Sequence, residues 1–212
     1  MDKRITNVRA AAGEICSGDT LWVGGASGAA AVFLEALAAR ADELENVTVL
    51  VLTGSEVCPA LESLKKVPGL RALSFYGEAV AGCCTGVGRT ELLSAPEAKL
   101  VTVVCRSYGV NTVVIPVTLP DGSGRCTVGA SAAFAAPVIC EMEGVEKRIC
   151  LVDPELAPAV GRREAVTLPF ERFEYIASGD PAAERSGRRR NAPGVIKNFS
   201  DLVPADGAQK SR

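Results

Sequence analysis

The feature that most constrains this chain is a regular alternation of short apolar runs with helix-forming stretches. Thr20 to Val23, Val47 to Leu52, Leu73 to Tyr76, Lys99 to Val104, Asn111 to Val117 and Lys147 to Val152 have the length and composition of strands. Helical spacing is expected over Ile5 to Cys16, Ala29 to Leu44, Pro59 to Lys66 and Ala130 to Glu141, the last disturbed by Pro137, and Glu91 to Leu93 sits near a further turn. Strands that alternate with helices predict an α/β fold, an open and mainly parallel sheet with helices on both faces.

The size suits one sizeable core, since 48% of the 212 residues are hydrophobic. From Ser178 onward the composition shifts to Gly, Pro, Ala, Arg and Asn. That change divides the chain into a domain over 1–177, a linker over 178–194 and a closing segment over 195–212, either a tail helix or the opening of a second domain. A net charge of −2 argues against a nucleic-acid partner, and the basic cluster Arg185 to Arg190 reads as solvated linker. No apolar run approaches the ~18 residues of a membrane span and no apolar leader follows the N-terminus, so a cytoplasmic protein without membrane association is expected.

Histidine is absent, which removes Ser-His-Asp and Cys-His hydrolysis and most zinc sites. The eight cysteines form no CxxC pair, and several lie in apolar runs, as reduced and mostly buried thiols would. Cys83-Cys84 has no neighbouring ligand at metal spacing and reads as packing, with a reactive thiol as the alternative. No metal is expected.

Two glycine-rich segments are the candidate binding elements. Gly24-Gly25-Ala26-Ser27-Gly28 lies between a strand and a helix, where free N–H groups at the helix start attract anions. Val113 to Ser131 runs from a strand through Pro120-Asp121-Gly122-Ser123-Gly124 into a small-residue segment that looks like a helix start. It is read as a ligand loop, with a plain surface hairpin as the alternative. The first segment superficially looks like the nucleotide loop of short-chain dehydrogenases. That family needs Tyr-x-x-x-Lys, but the fourth residue after Tyr76, Tyr108 and Tyr175 is Val80, Thr112 and Gly179. Asp121 and Glu78 are the carboxylates to watch, although for a lone carboxylate at a turn capping or solvating that turn is the favoured reading.

Together the segments resemble the N-terminal domain of the acetyl-CoA hydrolase/CoA-transferase family, which includes 4-hydroxybutyrate, butyryl and succinyl CoA-transferases. The resemblance lies in Ser17-Gly18-Asp19 followed by Val23-Gly24-Gly25, in the helix Phe33 to Arg40, and in Phe75 to Val80. It continues in Pro116 to Ser131, where Asp121, Gly124, Cys126, Gly129 and Ser131 match the family loop. Ser123 replaces that loop's usual His, Arg125 its aromatic residue, and Thr118-Leu119-Pro120 the Ser-Pro before it. Val195 to Gln209 is similar to the helix that opens the family's second domain.

The resemblance implies a CoA-transferase-type lobe that helps to form the pocket for an acyl-CoA and a small carboxylate. Gly24, Gly25, Ser27, Gly28, Asp121, Gly122, Gly124, Gly129 and Ser131 would contact the ligand. No residue here takes the role of the family's catalytic glutamate, so a partner lobe or subunit would supply it, and coenzyme A thioester would be a substrate rather than a resident cofactor. The alternatives are a non-catalytic CoA- or metabolite-binding or scaffolding protein, and an independent hydrolase using Asp121 or Glu78 as base.

Overall fold

In the computed structural model the described residues are 4–25, 27–51, 60, 64, 70–74, 90–92, 98–129, 132–133, 135–156 and 166–178. Eight strands form one sheet: β1 (Arg4–Thr6), β2 (Thr20–Val23), β3 (Val47–Val51), β4 (Leu70–Ser74), β5 (Thr90–Leu92), β6 (Thr112–Val117), β8 (Lys147–Val152) and β10 (Tyr175–Ser178). Their order is β1-β10-β8-β6-β2-β3-β4-β5, and every neighbouring pair is parallel. A separate antiparallel pair joins β7 (Arg125–Thr127) to β9 (Thr167–Pro169).

Side chains alternate across the sheet, so β2, β3, β6, β8 and β10 each feed two cores. Leu21, Val23, Val49, Val51, Val114, Ile149 and Leu151 pack with α1 (Val8–Ala11) and α2 (Gly28–Ala39) on one face. Trp22, Leu50, Val113, Ile115, Cys150 and Val152 pack on the other with α3 (Ala98–Ser107) and α4 (Ala136–Cys140). Helices lie on both faces, and β6 is buried along its whole length.

Five sequence expectations are corrected. The opening stretch is not one helix: Arg4–Thr6 joins the sheet edge beside β10, and Asn7 then caps a short helix by accepting from the Ala10 N–H at 2.7 Å. Lys99 to Val104 is helical although rich in β-branched residues, because Val101 and Cys105 form a one-turn stripe against the sheet and Val103 faces water. Among the described residues of Ala130 to Glu141 only Ala136–Cys140 is helical, where Pro137 falls in the first turn and needs no N–H partner. The segment after Gly124 begins with strand β7, not a helix. Thr90–Leu92 adds an eighth strand that the sequence had suggested only as a turn region.

The expected helix over Pro59 to Lys66 is represented by Ala60 and Leu64, both helical and buried, while Glu78, Cys83-Cys84 and the segments 179–194 and 195–212 lie outside the described residues. No described helix is long and apolar enough to cross a membrane.

The amino ends of the strands are tied by a polar network. Asp19, directly before β2, is 6% exposed and accepts from Lys147 Nζ at 2.7 Å, from the Cys16 N–H at 2.8 Å and from Asn111 Nδ2 at 3.3 Å. Asn111 Oδ1 accepts from the Thr20 N–H, so one cluster sets the relative positions of β2, β6 and β8.

Five described cysteines are reduced thiols, of which Cys16 is exposed and Cys105, Cys126, Cys140 and Cys150 are buried. Burial pushes the Cys105 and Cys140 thiols up to about 12. Iodoacetamide at mildly alkaline pH is therefore expected to alkylate Cys16 in the folded protein and to spare Cys105 and Cys140 until it is unfolded. Peptide mass mapping would show this, and native labelling of Cys105 at the rate of Cys16 would contradict it.

Candidate functional site

The strand order fixes where a ligand crevice forms. From β2 the chain steps outward through β3, β4 and β5, then returns to place β6 on the other side of β2 and continues outward through β8 and β10. The order reverses between β2 and β6. In open parallel sheets the crevice lies outside the carboxyl ends of the strands at such a switch point. The segments leaving β2, β6 and β8 at that end begin at Gly24, Thr118 and Asp153.

Gly24 and Gly25 are held by the sheet beneath them. The Gly24 N–H donates to Val114 O at 2.9 Å, and Gly25 has φ +122°, which favours glycine. A Cβ on Gly24 would lie 2.3 Å from Cη2 and 2.4 Å from Cζ3 of Trp22, so the absent side chain makes room for the indole. That ring is fully buried, and its Nε1 has no hydrogen-bond partner among the described residues.

Ser27 and Gly28 open α2. The buried Ser27 accepts the Ala30 N–H on its Oγ at 3.1 Å, which makes it the N-cap. The Ala29 N–H donates to Oδ2 of Asp153 at 3.1 Å, and Oδ1 of the same carboxylate accepts the Glu155 N–H at 3.0 Å. Asp153 is 2% exposed, and its own N–H donates to Val117 O at 2.9 Å. Two donors of the helix start are thus satisfied by the protein itself. Sequence reasoning missed Asp153, whose signal was a carboxylate at the end of the apolar run Lys147 to Val152.

The second glycine segment is a hairpin. Beyond β6 the Thr118 N–H donates to Thr127 O at 2.9 Å, the Asp121 N–H to Arg125 O at 2.8 Å, and the Gly124 N–H to Asp121 O at 2.9 Å. Gly124 has φ +75°. Oδ1 of Asp121 accepts from the Ser123 N–H and Oγ and from the Arg125 N–H, an Asx-type turn. The hydroxyl of Ser123 and the N–H of Arg125 hold the Asp121 carboxyl below its usual range. Gly122 is exposed in the turn, and the hairpin rests on β9 through Arg125 Nε to Thr167 Oγ1 at 2.8 Å. Gly129 ends the hairpin against the segment after β8, where its Cβ would lie 3.0 Å from Leu156 Cδ1. Ser131 lies outside the described residues.

Asp153 and Leu156 therefore connect the α2 start to Gly129, whereas Asp121, Gly122 and Gly124 belong to the hairpin turn. Among the described residues no group of three or more His, Cys, Asp or Glu stands close enough to hold a metal ion.

No protein-family model matches the chain, and no curated protein sequence matches it. Solved structures do match. RipA from Yersinia pestis superposes with a TM-score of 0.65 at 17% identity, over 84% of this chain and 42% of RipA. A 4-hydroxybutyrate CoA-transferase from Porphyromonas gingivalis superposes with a TM-score of 0.54 at 16% identity, over 84% of this chain and 39% of that one. The fold is CoA-transferase-like. The chain spans about two fifths of the length of these two neighbours. A chain from a variant of the decarboxylase AibA/AibB superposes with a TM-score of 0.52 at 13% identity, over 91% of this chain and 89% of that one.

Proposed function

We propose that this protein is the non-nucleophilic lobe of a CoA-transferase or acyl-CoA hydrolase. It shapes the pocket for an acyl-CoA and a small carboxylate and works with a second lobe or subunit that supplies the catalytic glutamate. The observation that carries this reading is the pattern of coverage: 84% of the chain matches only 39% of the 4-hydroxybutyrate CoA-transferase. The AibA/AibB chain, 89% of which is matched, has a similar extent. In this reading Gly24, Gly25, Ser27 and Gly28 serve the pocket from the β2 side, and Asp121, Gly122, Gly124 and Gly129 serve it from the segment that leaves β6. Coenzyme A thioester is a substrate, and the setting is cytoplasmic.

The bonding of Asp153 and Asp121 supports the need for a partner. Carboxylate attack on a thioester requires a free, aimed oxygen and donors for the developing oxyanion. Asp153 accepts from the Ala29 and Glu155 N–H groups, and Asp121 is tied to its own turn. The same observation favours a second reading, a non-catalytic protein that binds CoA or a metabolite or scaffolds a partner.

Reconstitution separates the two. The chain combined with its second lobe is expected to exchange CoA between acetyl-CoA and a carboxylate, with no exchange by the chain alone and none after the partner's glutamate is changed to glutamine. Absence of exchange in every pairing would leave the non-catalytic reading.

A further inference from the structure

We infer that Asp153 determines what the switch-point crevice accepts: it is a resident anion that closes the α2 start to phosphate and carboxylate groups. The glycine loop is thereby left to an uncharged stretch of ligand. The inference rests on the reading of the crevice as an acyl-CoA site and specifies which part of that substrate the loop meets.

A helix of twelve residues has a partial positive charge at its start, and its first N–H groups are a ready anion site. Here two of those N–H groups are taken from within. Asp153 reaches from the end of β8, two strands away from β2 in the sheet, to place Oδ2 on the Ala29 N–H, while Ser27 Oγ takes the Ala30 N–H. The carboxylate is 2% exposed and its second oxygen holds the Glu155 N–H, so a ligand anion cannot displace it without breaking the turn after β8. A ligand phosphate would meet a buried like charge where the N–H groups should be. The charged end of a CoA ester is therefore held elsewhere, and its uncharged pantetheine and thioester portion passes Gly24 and Gly25.

The experiment compares the full chain with Asp153→Ala and Asp153→Asn by thermal melts in formate or inorganic phosphate, with chloride matching the ionic strength. Asp153→Ala is expected to melt lower and to recover saturably with formate, which restores a carboxylate to the helix start. Wild type and Asp153→Asn are expected to gain nothing saturable. A saturable gain in wild type, or no recovery of Asp153→Ala with either anion, would overturn the inference. The amide resonances of Ala29 and Ala30 in wild type give a second measurement that needs no variant. They are expected to stay in place as phosphate or adenosine 3′,5′-bisphosphate is added, and a saturable shift overturns the inference. Neither measurement needs an active partner, so the acyl-CoA reading can fail separately, through absence of exchange.

Discussion

Asp19→Ala is expected to lower the stability of the fold by about 3 kcal/mol, the low end for removing one partner of a buried ion pair. The side chains of Asp19 and Lys147 are 8% and 21% exposed, and removal of the carboxylate leaves the Lys147 ammonium with Glu14 O at 3.2 Å as an uncharged partner. The Cys16 N–H and Asn111 Nδ2 lose an acceptor at the same time. Urea melts of Asp19→Ala, Lys147→Met and the double variant measure the effect. The double variant is expected to recover part of the loss, because replacing a buried pair by apolar groups costs less than orphaning one charge. A loss below about 1 kcal/mol in Asp19→Ala, the range of an exposed pair, would contradict the account.

The pH dependence has the matching sign. Burial pulls the Lys147 ammonium down, but the hydrogen bond and charge of Asp19 outweigh it, so its pKa lies above the ordinary 10.5. A group raised on folding contributes stability in full below its unfolded pKa and loses it as pH rises through the folded one. Wild type should therefore lose stability above pH 10.5 by more than Lys147→Met does.

Gly24→Ala is expected to destabilise by about 1–3 kcal/mol through overpacking. The added methyl would sit 2.3 to 2.9 Å from three carbons of the Trp22 ring, which is fully buried among Leu50, Val113 and Ile115 and cannot swing aside. Trp22→Leu removes those carbons, so Gly24→Ala should be nearly silent in that background. A double-mutant cycle by denaturant unfolding isolates the coupling. If Gly24→Ala costs the same in both backgrounds, the indole is not what excludes the side chain. Gly25 differs, since its φ of +122° strains any other residue; Gly25→Val therefore reports on stability as well as on the site.

The layers of the fold were readable because buried parallel strands are continuous apolar runs. Thr20 to Val23 and Lys147 to Val152 match β2 and β8 residue for residue. Helix α3 was not, since Val101, Thr102, Val103 and Val104 favour a strand locally and only packing of one stripe on the sheet decides for a helix. Both glycine segments were visible, but their use was not. Asp153 lies 124 residues from Ala29, and no local pattern reveals that it fills the helix start. The hairpin from Thr118 to Val128 depends in the same way on β9, 42 residues beyond β7.

The most direct test of the central claim is calorimetric titration of acetyl-CoA into the purified chain, alone and together with its second lobe. A lobe that forms half of an acyl-CoA pocket is expected to bind the thioester in the assembled pair, with markedly weaker binding by the chain alone. Heat of binding absent from both titrations would contradict the claim and leave a CoA-transferase-like fold without that function.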